Sequence, residues 1–493
     1  MLFNSPVFLF AFLPLAVAFF LLAGRWGVRA QIYLLTIASL FFYSFWKVEY
    51  LGILLSNIAV MFTLGQWMLR TSDRRLRLLQ LLAGIAFCLG VLGYYKYTHF
   101  LMANLGFLVD LQPVQARTIP IGLSFYTFTS IAFLVDVYRR EIDNISLGEY
   151  GATITYFPHL VAGPILYHHD IIPQLRGKPH RLSQKGLYLF LIFFSVGLFK
   201  KVLLADHIAM FSDPIFDAVA KGGVPDTGQA WRAAICYTLQ LYFDFSGYSD
   251  MAVGIANLFN IRIPINFFSP YKSRNIADFW RRWHISLGYF LRKYIYFPLG
   301  GSRRGLPRTL VNMMVVMALC GLWHGAGWSF IIWGVAHGLA LCVYKLWAAY
   351  GFRLREGAGT VLRVADRLAA TLLTFLFTTL CWVVFRSDTI ETAWTIIKAM
   401  FSSTGSKLRF IPTSRAELYM GLLLVVVWVL PNLYQWLDAY QPATPLYKTE
   451  QGLPAITSSR VQALAGLLCG VLFAVAFVAM LVNGQSSYLY FEF

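Results

Sequence analysis

From Thr309 to Tyr344 the chain contains no Asp, Glu, Lys or Arg. About 20 mostly apolar residues cross a bilayer as a helix, and inside hydrocarbon every backbone polar group must find its partner within the chain. The run therefore reads as two crossings, 309–322 and 327–347, broken by the stretch GLWHGAG at 321–327. Similar runs recur along the whole length. Hydrophobic residues make up 58% of the chain and charged residues 13%, whereas a soluble domain carries about 25% charged residues. Further spans centre on 6–24, 30–46, 48–69, 77–95, 118–137, 150–166, 185–204, 231–260, 367–385, 416–437 and 461–482. The pattern predicts an all-α polytopic membrane protein with about 10–13 transmembrane or re-entrant helices.

The opening MLFNSPVFLFAFLPLAVAFF lacks a basic leader and a small-residue cleavage site, so it is expected to be a retained first helix. Six cysteines, at 88, 236, 320, 342, 381 and 469, form no CxxC pair and sit mostly in apolar runs. They read as small packing residues, with no disulfide framework and no zinc spacing. The net charge of +18 would suggest nucleic acid in a soluble protein. Here the bases gather beside spans, and the positive-inside rule explains them without a nucleic-acid partner. Arg25 and Arg29, then Arg70, Arg74, Arg75 and Arg77, then Arg139 and Arg140, alternate with sparse links such as that holding Lys96 and Arg117. This places the N-terminus outside and the basic loops in the cytosol. Past residue 150 the alternation blurs, and FPHLVAGPI suits a re-entrant segment whose broken backbone is satisfied by protein. No hydrophilic stretch, the 438–460 loop included, is large enough for a catalytic domain, so any chemistry is expected in or beside the membrane.

Residues 266–308 read NFFSPYKSRNIADFWRRWHISLGYFLRKYIYFPLGGSRRGLPR. From Tyr271 to Arg308 there are nine Lys or Arg and one acid, Asp278, interleaved with aromatics. One or two amphipathic interfacial helices are expected between Asn275 and Phe297, ended by PLGGSRRG. A basic loop anchored by aromatics explains the pattern, and so does an electropositive mouth for a phosphorylated ligand.

Ionisable groups inside a membrane are candidates for function. His324 heads them, because a buried imidazole stays neutral and so suits a general base. Gly321, Gly325 and Gly327 would let a backbone or a ligand approach. His284, beside Arg281 and Arg282, lies on another element, and the two cations should oppose its protonation. Asp244 and Asp250 sit in LYFDFSGYSDMAVG on different helix faces, each suited to bind a cation from the basic segment. GYSDM is not a nucleophile elbow, since Met251 replaces the closing glycine. No histidine is followed five residues later by Asp, so the HxxxxD acyltransferase pattern is absent. His168, His169 and Asp170 lack a further ligand at metal spacing.

Taken together, VFLFAFLPL, FYSFWKVEYL, LGYYKY, IPIGLSFYTF, FPHLVAGPI, QLYFDFSGYSDMA, FWRRWHISL, GLWHGAG and the terminal YLYFEF resemble the membrane-bound O-acyltransferase family. The likeness is strongest to its bacterial alginate O-acetylation branch. One departure is Lys293, where that branch often carries Asp. The resemblance implies a single integral-membrane acyltransferase domain over 1–493 in a bacterial inner membrane, with a central tunnel at a thinned bilayer. It implies His324 as the catalytic histidine and His284 at the second signature position.

No bound cofactor is implied. Acetyl-coenzyme A is the expected donor substrate, with Arg281, Arg282, Arg292, Arg303 and Arg304 as its phosphate contacts. The acetyl group would pass to a periplasmic SGNH-type acetyltransferase and then to an exported polysaccharide such as alginate. Two alternatives stay open: a D-alanyl transferase fed by a carrier protein, and a transporter or channel using the histidines as a proton relay.

Overall fold

The computed structural model describes residues 1–105, 118–351, 359–402, 408, 414–444 and 459–489. Arg117, residues 445–458 of the polar loop and the last four residues of YLYFEF lie outside them. Among the described residues eight helices are long and apolar enough to cross a membrane: Phe8–Trp26, Glu49–Arg70, Arg74–Leu105, Gln184–Ala220, Gly305–His324, Trp328–Tyr350, Thr360–Arg386 and Ala463–Asn483. Val28–Ser44 and Leu123–Tyr138 are shorter apolar helices. The only β-pairing there is an isolated bridge between Pro264 and Thr444. This is an all-α polytopic membrane protein.

Three expected spans take other forms. Thr227–Leu258 is a 32-residue helix, long enough to cross but too polar to count as a lipid-facing span. The 416–437 run becomes Ser414–Val429 and stops before Pro431, whose ring and missing N–H end a helix. The 150–166 run forms two short helices, Leu147–Thr155 and Phe157–Leu160, and then irregular chain. Every residue from 148 to 168 is buried. Its broken backbone is satisfied by protein groups: Ser39 Oγ accepts from the Phe157 amide, and His159 Nε2 donates to the Thr153 carbonyl at 2.8 Å.

The chain packs into two units, 1–199 with 247–265 and 436–492, and 200–246 with 266–435. In the first, Leu54, Met61, Phe133, Leu134, Tyr150 and Ile154 belong to one buried apolar cluster. A capping box starts the Leu147–Thr155 helix: Ser146 Oγ accepts from the Glu149 amide, and Glu149 accepts from the Ser146 amide and from Arg176. Burial pushes the Glu149 carboxyl up, but the hydrogen bonds from Arg176 and Ser146 outweigh it and hold the group below its ordinary value. His168 stacks on Tyr150, and His169 Nε2 lies 3.6 Å from Asp170 Oδ1. All six cysteines are buried and free.

In the second unit Lys201 sits on a π-helical turn, Lys200–Ala205, and is 2% exposed. Its ammonium bonds Asp244 at 2.7 Å and Asp206 at 2.8 Å. Asp244 therefore meets a cation from this turn, one that the sequence reading does not name. The contact is made across 43 residues, which no local pattern reveals. Asp250 lies in the other unit, 2% exposed.

Candidate functional site

The basic segment folds into the helices Ile276–Arg282 and Ile285–Phe290, a π-helical turn Leu291–Tyr296, and the turns at 297–304. Asn275 caps the first helix by accepting from the Asp278 amide at 2.8 Å. Unlike helices lying on a membrane surface, these bury much of their length. Ile276, Phe279, Trp283, Ile285, Leu287 and Phe290 are all inside. The cations are left at the margins. Arg281 and Arg282 share Asp278, at 3.5 and 3.1 Å. Arg292 is half-buried, and Arg303 and Arg304 are exposed on the 297–304 turns. Asn312 anchors those turns by donating to the Gly301 carbonyl at 2.9 Å. Lys293 lies over the Tyr294 ring. The five arginines are thus split three ways: Arg281 and Arg282 share one carboxylate, Arg292 lies on the π-helical turn, and Arg303 and Arg304 lie on a separate exposed turn.

His284 occupies the link between the two helices, in the left-handed region at φ 44° and ψ 55°. That conformation is unfavourable for a residue with a Cβ. Asn266, fully buried, holds it there. The Asn266 carbonyl accepts from the Ile285 amide at 3.0 Å, and its Oδ1 accepts from Ser286 Oγ at 2.7 Å. The His284 ring packs on Phe245, with centroids 4.9 Å apart. Burial pushes its pKa down to about 3, so the imidazole is neutral at working pH. Burial is the cause, rather than the neighbouring arginines, which are turned to Asp278.

His324 ends the Gly305–His324 helix, and Gly325 and Gly327 are extended before Trp328 begins the next. The two helices meet at their backbones. A Cβ on Gly321 would stand 2.2 Å from the Phe330 carbonyl oxygen, and one on Gly334 would stand 2.3 Å from that of Met317. Small residues permit this approach. Gly325 fits against the Phe330 ring, while Gly327 has ordinary space. The glycines of GLWHGAG therefore set helix packing at Gly321 and seat an aromatic ring at Gly325.

The His324 side chain is 6% exposed, between Trp323 at 4.8 Å, Trp333 at 5.1 Å and Phe385 at 5.3 Å between ring centroids. The Trp323 indole also meets the His284 ring at 6.3 Å. Two imidazoles, 40 residues apart in sequence, thus flank one indole. Behind them Trp333 contacts Trp280, Trp382 and His337. His337 is fully buried, and its Nδ1 accepts from Trp280 Nε1 at 3.2 Å, which leaves the ring proton on Nε2. The sequence reading passes over His337, although it lies in the same charge-free run and the rule that selects His324 selects it too. Asn266 carries no such signal, because its role depends on the chain folding back on residues 282–286.

Comparison with known proteins bears on this arrangement. The profile of MBOAT, the membrane-bound O-acyltransferase family, matches residues 27–351. The chain is 38% identical to the peptidoglycan O-acetyltransferase of Helicobacter pylori, over 85% of this chain and 83% of that protein. It is 35% identical to the probable alginate O-acetylase of Pseudomonas putida over the whole of both chains. It is 39% identical to that of Pseudomonas aeruginosa, over 82% of this chain and 75% of the other.

Proposed function

Because the chain belongs to the membrane-bound O-acyltransferase family and is an O-acyltransferase, we propose that it transfers acetyl groups from acetyl-coenzyme A in the cytosol, across a bacterial inner membrane, for O-acetylation of an exported polysaccharide. The observation that carries the site assignment is the pair His324 and His284 on either side of Trp323. Membership of an enzyme family sets aside a transporter with a proton relay. Relatives bearing the names of O-acetylating proteins favour acetyl over D-alanyl transfer.

In this reading His324 accepts the proton of the acceptor hydroxyl as its oxygen attacks the thioester carbonyl. The carbon–sulfur bond then breaks, and the proton passes from His324 to the departing coenzyme A thiolate. Such a base contributes about 10²–10⁴ in rate. His284, neutral and so carrying one N–H, donates to the oxyanion, a contribution of about 2.7–4 kcal/mol in measured cases. The surrounding indoles exclude water and strengthen both interactions. Arg303 and Arg304, exposed on their turn, meet the donor's phosphates bidentately. Arg281, Arg282 and Arg292 add to the positive field. The acceptor is alginate or another exopolymer, reached through a periplasmic SGNH-type acetyltransferase.

The test is acetyl release from labelled acetyl-coenzyme A by the purified protein. His324→Ala is expected to lower turnover by about 10²–10⁴ with melting behaviour retained. Turnover close to that of the native protein would remove His324 from the chemistry.

A further inference from the structure

We propose that the first unit holds a second ligand site, a cytosol-facing pocket for a phosphate-bearing group, centred on His180, Lys185 and Arg262. These residues line a cavity of about 410 Å³, together with Gln174, Asn260 and Gln441. Small-molecule sites span about 300–1,000 Å³. Its described lining includes three basic side chains and no Asp or Glu.

The walls are built rather than incidental. The Gln174 amide clasps the backbone of Arg262 in both directions: Nε2 donates to the Arg262 carbonyl at 2.9 Å, and Oε1 accepts from its amide at 2.9 Å. Gln31 does the same for His180, at 2.8 Å each way. Arg262 Nη1 donates to Gln441 Oε1 at 3.4 Å, one use of a guanidinium that carries five N–H donors. Gln441 is itself held at φ 45°, and backbone strain of this kind collects at ligand clamps. Asn260, at φ 55°, closes the Thr227–Leu258 helix, a capping position Asn tolerates. Lys185 lies in the first turn of the Gln184–Phe199 helix, whose N–H groups add positive potential without making the site alone.

The face is set by the same contacts. The loop of Arg176 to His180 is tied to Gln31 and, through Arg176, to the Asn144 carbonyl. These neighbours flank the loops of Arg29 and Arg139, which the charge rule assigns to the cytosol. Burial holds the His180 imidazole below its ordinary pKa, so the fixed charge of the pocket comes from Lys185 and Arg262. Two cations facing one cavity, with arginine geometry available for bidentate contact, suit a phosphate better than a single carboxylate. The phosphate can belong to a lipid headgroup of the cytosolic leaflet or to a soluble ester. None of the residues named belongs to the proposed transfer site, so the inference stands apart from that reading.

The experiment measures binding directly. Purified full-length protein is titrated in detergent with inorganic phosphate, against chloride at matched ionic strength, and its melting temperature is followed. In parallel it is placed in nanodiscs of phosphatidylcholine alone or of equal parts phosphatidylcholine and phosphatidylglycerol. A rise with inorganic phosphate identifies a soluble phosphate. A rise confined to phosphatidylglycerol discs identifies a lipid headgroup. Lys185→Gln and Arg262→Gln should each weaken whichever response is seen by about tenfold. Lys185 heads an exposed helix turn and Arg262 keeps its backbone clasp, so both variants should fold. No response in either arm, or responses that survive both substitutions, would overturn the proposal.

Discussion

Gly321→Ala tests whether the backbone contact between the Gly305–His324 and Trp328–Tyr350 helices holds the imidazole proposed as the catalytic base in place. The added Cβ would stand 2.2 Å from the Phe330 carbonyl oxygen and 3.1 Å from the Gly334 Cα. A carbon and a carbonyl oxygen ordinarily come no closer than about 3.3 Å. The helices must therefore part by about 1 Å at this turn, because the obstacle is backbone and has no rotamer to change. Forcing extra volume into a packed site costs about 1–3 kcal/mol. Gly321 lies one turn before His324, so the same displacement moves the imidazole relative to Trp333 on the other helix. A misplacement of about 1 Å costs about 10²-fold in rate. The assay is kcat and KM for labelled acetyl transfer, with thermal melting in detergent as the stability readout. Gly327→Ala is the control, since its nearest neighbour is the Phe330 ring at 3.5 Å. If the two variants prove alike in melting and in kcat, the glycine contact does not position the site and the reasoning fails.

Lys201→Met removes the buried ammonium that Asp244 and Asp206 share and should cost about 3–5 kcal/mol, whereas adding Asp244→Leu should recover most of that loss in a denaturation series. His284→Ala and His284→Gly should both lose turnover. The glycine variant should be the more stable by about 1 kcal/mol, because only it adopts the left-handed conformation without strain. Equal melting temperatures would show that the turn is not strained. Glu149 has a folded pKa below its ordinary value near 4.5, so its contribution is present above that pH and is lost as pH falls through the folded value. Glu149→Gln should therefore flatten the acid side of the stability profile between pH 5 and the folded pKa. An unchanged acid limb would contradict this.

The long apolar runs were legible because one physical demand, a satisfied backbone in hydrocarbon, repeats at a fixed length. His324 stood out as a candidate because an imidazole in a charge-free run is costly wherever it points. What the sequence left open has a common cause. Residues 150–166 have the hydropathy of a span, and only the prolines and glycine of FPHLVAGPI pointed to their broken, protein-enclosed course, because hydropathy does not distinguish a lipid neighbour from a protein one. Asp244 carried no sequence sign of its contact with Lys201, 43 residues before it. Its partner Lys201 comes from a π-helical turn whose register sequence does not announce. The arginines beside His284 suggested charge repulsion, but the neutrality of that ring follows from burial, which only the folded chain supplies.

The Lys201–Asp244 pair also constrains how the chain enters the bilayer. An ammonium near the middle of an isolated inserting helix costs about 2.5–3.5 kcal/mol on translocon scales. Asp206 supplies one carboxylate from the same helical run, and Asp244 supplies a second from the following helix, beyond a link of only residues 221–226. The two segments are therefore expected to leave the translocon together as a hairpin. Within one segment Asp206 offsets part of that cost, and the Asp244 bond completes the pairing as the hairpin is released.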